Sequence, residues 1–160
     1  MSGAVHLRLA DEAATRRAGA ALAAALAPGA VLHLSGDLGA GKTTLVAGLL
    51  AALGHPGPVR SPTYTLVEPY EAGGLRLLHL DLYRLADAEE LEFLGIRDLA
   101  DGRAVLLVEW PQRGAGHLPA PDLVLRLAHR AQGRDLVAEA QTPLGERLVA
   151  ALVQAAAAES

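Results

Sequence analysis

The chain has 160 residues and no cysteine, which suits one domain rather than two independent cores and excludes disulfides, zinc-thiolate sites and thiol catalysis. A formal net charge of −4 leaves no broad cationic surface, so tight unaided binding to nucleic acid is not expected, and a nucleic-acid role would need a partner. Hydrophobic residues make up 51% of the chain but aromatics only 3%, so an aliphatic core packed between helices and sheet is expected.

Asp11 and Glu12 come early, with no basic segment ahead of an apolar stretch, so no secretory signal is expected. Asp11 reads as the N-cap of an alanine-rich helix running to about residue 26, and Pro28-Gly29 then turns the chain. The same Pro-Gly pair interrupts the apolar stretch 18–34, which argues against membrane insertion. A buried strand over residues 30–34 follows. Next comes Gly36-Asp37-Leu38-Gly39-Ala40-Gly41-Lys42-Thr43, which fits the phosphate-cradling pattern G-x-x-x-x-G-K-[ST] in full and leads into a helix over 44–53. Its glycines let backbone N–H groups approach phosphate, the helix N-terminus faces negative charge, and Lys42 reaches the β and γ oxygens. Thr43 offers its hydroxyl to a metal. A nucleoside triphosphate with magnesium is therefore the expected ligand, and that site favours the cytoplasm.

Gly54 stops the helix, and a breaker-rich connection leads into 59–65, a hydroxyl-rich segment expected to be extended. Over 75–83, strand alternation puts Leu78, Leu80 and Leu82 on one face and His79, Asp81 and Tyr83 on the other. Asp87 with Glu90 forms a capping pattern for a short helix over 88–94, which Gly95 ends. Residues 104–108 form an apolar strand that ends in Glu109-Trp110-Pro111. Strands over 123–129 and 136–140, joined through Gln132-Gly133, read as an antiparallel edge hairpin, and Thr142 caps a last helix with Pro143 at its first position. The expected fold is α/β: a single phosphate-loop NTPase domain over 1–160, its core about 11–153. It has a mostly parallel central sheet, flanking helices and antiparallel edge strands.

Hydrolysis at a phosphate loop needs a carboxylate near the metal and a group that orients or deprotonates water. Glu109, at the end of an apolar strand, would emerge at the carboxyl edge beside the phosphates. Asp81 lies within an otherwise apolar strand, where an unpartnered carboxylate is costly. We favour Glu109 for metal and Asp81 for water, although the residue pattern alone does not assign the two roles. A structural Asp81 bonded to backbone or to Arg84 is the alternative. Ser61, Thr63 and Thr65 form either a switch segment that senses the γ-phosphate or the ordinary start of a strand. His79 reads as a packed or hydrogen-bonded strand histidine, since no second histidine has ligand spacing. Trp110 packs near the nucleotide, at a partner surface or in the core.

Four blocks in this order resemble the TsaE family, formerly YjeE: residues 36–44, Ser61-Pro62-Thr63-Tyr64-Thr65-Leu66-Val67, His79-Leu80-Asp81-Leu82-Tyr83-Arg84, and Val108-Glu109-Trp110-Pro111. The resemblance runs from about Asp11 to Arg134, and residues 89–96 look like the family's helix after the Asp strand. It implies an ATPase subunit of the bacterial machinery that makes N6-threonylcarbamoyladenosine at position 37 of tRNAs reading codons that begin with adenine. TsaD and TsaB are the implied partners, with tRNA reached only indirectly. By resemblance, Gly39, Ala40, Gly41, Lys42, Thr43 and Thr44 cradle ATP, Thr43 and Glu109 ligate Mg2+, Lys42 and Asp81 support hydrolysis, and Ser61 to Thr65 is switch-like. Asp11 and Thr15 would border the adenine pocket, and Arg134 would contact the nucleotide. Two other readings compete. A small-molecule kinase would use the same loop, with Arg97, Arg103 and Arg113 as candidate acceptor contacts; a non-catalytic adaptor would respond to nucleotide binding alone.

Overall fold

The computed structural model describes residues 3–158. Seven strands form one sheet: β1 (Val5–Leu9), β2 (Val31–Ser35), β3 (Val67–Ala72), β4 (Leu75–Asp81), β5 (Val105–Glu109), β6 (Leu123–His129) and β7 (Arg134–Ala140). Their order across the sheet is β1-β7-β6-β2-β5-β4-β3. The four central strands β6, β2, β5 and β4 run parallel, and antiparallel pairings with β7 and β3 extend the sheet on either side. The expected α/β sheet with antiparallel flanks is the fold observed.

The central strands are apolar on both faces because both are covered. On one face Leu32, Leu34, Leu77, Val105 and Leu107 pack under α1 (Glu12–Ala23), α2 (Lys42–Ala52) and α5 (Pro143–Ala158). On the other, Val31, Leu78, Leu80, Leu82, Leu106 and Val108 pack under the short α3 (Glu90–Phe93) and α4 (Ile96–Ala100). The alternation read for residues 78–83 is therefore real. It places His79 and Asp81 on the α2 side, and Glu109 shares that side through its register with Asp81. Helices α1 and α2 pack almost backbone to backbone: a Cβ on Gly19 would lie 2.0 Å from the Leu45 carbonyl oxygen, and one on Gly48 2.1 Å from that of Arg16.

Several boundaries differ from expectation. Helix α1 ends at Ala23, because the chain begins its turn ahead of Pro28-Gly29. Segment 59–65 is not extended throughout: Leu66 N–H donates to the Pro62 carbonyl at 2.8 Å, and Leu66 has a left-handed φ of 69°. The hairpin β6–β7 is not at the edge, since β1 pairs outside β7. Thr142 caps α5 as expected, its hydroxyl accepting from Gly145 N–H at 3.1 Å. Among the described residues, no helix is long and apolar enough to cross a membrane.

Candidate functional site

Strand β2 delivers the chain at its carboxyl edge to a loop that ends where α2 begins, at Lys42. Two glycines are needed for their conformation. Gly36 has φ 146°, and a Cβ there would meet the Leu127 carbonyl oxygen at 2.4 Å; Gly41, the N-cap of α2, has φ 109°. The result is a helix N-terminus at a cavity, lined by Gly41, Lys42, Thr43 and Thr44, and the first N–H groups of a helix have no partner within it. Lys42 Nζ donates to the carbonyls of Gly36 (2.5 Å) and Asp37 (2.9 Å) and lies 4.6 Å from the centre of the Trp110 ring. Burial pulls the Lys42 ammonium below its usual pKa, while the carboxylates of Glu109, Asp81 and Asp37 oppose that shift.

Beside the loop, β5 and β4 bring up the two acids. Glu109 is 3% exposed; its carboxylate accepts from Thr43 Oγ1 at 2.9 and 3.2 Å and meets His79 Nε2 at 2.6 Å. Asp81 is 4% exposed and fully engaged. Its Oδ2 accepts from Ser61 Oγ and from Thr63 Oγ1, and its Oδ1 from Tyr83 N–H at 3.0 Å. Arg84, the alternative partner weighed for Asp81, instead lies over the Tyr64 ring. The buried polar or charged residues found among those described are Thr15, Lys42, His79, Asp81 and Glu109, and all belong to this one locus. Burial of unpaired charge is costly, so a core that admits charge at one place marks that place as functional.

A cavity of about 390 Å³ joins these groups and is lined by Asp11, Thr15, Gly39, Gly41, Lys42, Thr43, Thr44, Ser61, Thr63, Asp81, Glu109 and Arg134, all singled out in the sequence. Ala40 is not in its wall; it is fully buried beneath the loop. Thr65 is exposed and is not in that wall; it lines an adjoining groove with Tyr64 and Tyr70, which shares Ser61 and Thr63 with the cavity. Arg134, in the cavity wall, also braces the loop: Nε donates to the Ala40 carbonyl (3.0 Å) and Nη2 to that of Gly39 (3.2 Å). Asp11 caps α1 through Ala14 N–H at 2.8 Å, which sets the cavity's far wall.

Sequence reasoning missed Glu12, Leu38 and Gly133 as lining residues. Glu12 and Gly133 belong to no distinctive motif and Leu38 holds a variable position of the phosphate-loop pattern; they arrive through the helix start, the hairpin turn and the loop tip. It left Trp110 open among three places, and the ring is in the wall, held by a left-handed φ of 58° and packed 4.9 Å from the Tyr83 ring. Arg97, Arg103 and Arg113 do not converge: Arg97 pairs with Glu92 on the surface, Arg103 precedes β5 at the opposite sheet edge, and Arg113 lies over Tyr83 and Trp110.

A helix N-terminus, an ammonium, a hydroxyl–carboxylate pair and a second carboxylate make a site suited to a polyphosphate with a hard cation. Magnesium takes oxygen ligands, commonly one or two carboxylates together with phosphates and water. Thr43 Oγ1 and Glu109 Oε1, 3.2 Å apart, fit that requirement, Oε2 being the oxygen that meets His79 Nε2.

The family model described as threonylcarbamoyl adenosine biosynthesis protein TsaE matches residues 9–136. The chain is 49% identical over 121 residues to the tRNA threonylcarbamoyladenosine biosynthesis protein TsaE of Haemophilus influenzae, covering 76% of this chain and 77% of that protein. To the protein so named from Mycobacterium leprae it is 38% identical over 134 residues, covering 79% and 82%. The crystal structure of Bacillus subtilis YdiB superposes with a TM-score of 0.81 at 31% identity, over 96% of this chain and 97% of that one.

Proposed function

Because the chain belongs to the TsaE family, we propose that it acts in tRNA threonylcarbamoyladenosine biosynthesis as an ATP-binding and ATP-hydrolysing subunit. One observation carries the reading: Lys42, Thr43, Asp81 and Glu109 converge on a single cavity at the carboxyl ends of parallel strands. The amide groups at the start of α2 and the Lys42 ammonium bind the phosphates, exchanging the loop carbonyls of Gly36 and Asp37 for phosphate oxygens. Thr43 and Glu109 hold magnesium, which when bound neutralises charge on the phosphates. Asp81 orients or deprotonates the attacking water, and to do so it must release the hydroxyls of Ser61 and Thr63. Those two residues thereby couple the nucleotide state to segment 60–65.

The partners we propose are TsaB and TsaD, with tRNA contacted only through the assembly. ATP favours the assembled state, and hydrolysis resets it between turnovers. An acidic chain suits that arrangement, since it offers little to hold a phosphate backbone by itself. The kinase reading lacks a converging set of arginines for an acceptor.

The test is multiple-turnover threonylcarbamoylation of tRNA by TsaB and TsaD, supplied with threonylcarbamoyl-adenylate, with and without this chain and its Glu109→Ala variant. Sustained turnover only with intact Glu109 supports the proposal. Turnover indifferent to the chain, or equal turnover with a non-hydrolysable ATP analogue, refutes it.

A further inference from the structure

His79 sits in the middle of β4 with no exposed surface, and its Nε2 lies 2.6 Å from Glu109 Oε2. We propose that His79 is the positioning residue of the magnesium site: its Nε2–H holds one Glu109 oxygen so that the carboxylate presents the other to the metal. The inference rests on reading Glu109 as the magnesium ligand.

The direction of the contact follows from Glu109 binding metal as the carboxylate. An ionised carboxylate only accepts, so the ring nitrogen facing it must be the donor. The opposite nitrogen, Nδ1, is buried and has no partner. A lone pair is tolerable there, whereas a second N–H would be a buried donor with no acceptor. The ring is therefore held as the Nε2–H tautomer, aimed at Glu109. Register explains why this position supplies the contact. Asp81 lies opposite Glu109 on the neighbouring parallel strand, and His79, two residues back on the same face, is the side chain that can reach beneath the carboxylate. Without it Glu109 keeps only the hydroxyl of Thr43, the group with which it is meant to share the metal. Loss of an outer group that orients a metal ligand typically costs about 10- to 100-fold in metal affinity or activity.

The experiment titrates ATP binding by calorimetry at fixed magnesium concentrations for the wild type, His79→Leu, which lacks a donor, and His79→Gln, whose amide can replace Nε2–H. His79→Leu should weaken apparent magnesium affinity by about 10- to 100-fold, leave magnesium-free ATP binding unchanged, and be rescued in large part by His79→Gln. Equal magnesium dependence in a folded His79→Leu variant overturns the proposal. If the wild type itself shows no magnesium dependence, the assignment of Glu109 to metal falls, and this inference with it. Nitrogen NMR of the wild-type ring supplies a readout independent of activity and of the variants' folding: the Nε2–H tautomer supports the proposal, and Nδ1–H refutes it.

Discussion

Asp81 and Glu109 stand side by side in register at the carboxyl ends of adjacent parallel strands, yet their carboxylates have different partners. Glu109 is tied to Thr43 at the start of α2, whereas Asp81 is tied to Ser61 and Thr63 of the neighbouring segment. We propose that this difference in partners goes with the two roles that the residue types alone left open, metal for Glu109 and water for Asp81. Glu109→Gln should therefore weaken magnesium-dependent ATP binding. Asp81→Asn should bind with near wild-type affinity but lose about 100-fold or more in hydrolysis, the usual scale for a missing general base. Calorimetry and phosphate-release assays on the two variants check this; the reverse pattern would exchange the roles.

Trp110 is the only tryptophan of the chain, and the Lys42 ammonium lies 4.6 Å over its ring. Phosphate should draw Lys42 away, so nucleotide binding should change the intrinsic fluorescence. In Lys42→Ala the signal should start near its bound level, and ATP affinity should fall about 10- to 100-fold, the equivalent of lost charge-assisted hydrogen bonds of about 1.5–3 kcal/mol. Unchanged affinity in calorimetry would remove Lys42 from the phosphate site.

The parts of the site that a sequence declares are those whose chemistry is local. The phosphate loop reads directly because its glycines and lysine serve one turn. Asp81 and Glu109 read because a carboxylate at the end of an apolar strand conflicts with burial. His79 was legible only as a hydrogen-bonded strand residue, because its partner is 30 positions away and is supplied by strand register. The edge strands were harder still. β1 buries only Leu9 and β3 contains Pro69, so neither has the continuous apolar run that marks the central strands. Segment 59–65 looked extended by composition, but the hydrogen bonds of its hydroxyls to Asp81 and the left-handed Leu66 shape it instead.

His33 provides a pH-dependent stability term. Burial lowers its pKa below the usual value, against a hydrogen bond with the Pro119 backbone that acts in the other direction, and Nε2 is buried without a partner. As pH falls below about 6.5, the unfolded chain takes up the proton first, so stability is lost on the acid side and levels off below the folded-state pKa. His33→Asn should flatten the decline in urea midpoint between roughly pH 7 and 5. An unchanged slope would assign that decline to other groups.

Arg134 lies in the cavity wall, as a nucleotide contact would require, and its guanidinium donates to the carbonyls of Ala40 and Gly39, with Nη1 on that of Gly133. The contact satisfies the carbonyls of Gly39 and Ala40, and within the same loop Ala40 N–H donates to the Asp37 carbonyl at 3.0 Å. A lysine supplies charge without the planar fork and cannot reproduce two divergent donors at fixed spacing. If Arg134 acted mainly as a positive charge near phosphate, Arg134→Lys would preserve most of the ATP affinity. If it acts as a brace, Arg134→Lys and Arg134→Ala should lose affinity to a similar extent, about 10-fold for one or two hydrogen bonds, and both should raise hydrogen exchange across 36–41 even without nucleotide. The geometry favours the second outcome, and calorimetry with exchange mass spectrometry on the two variants distinguishes them.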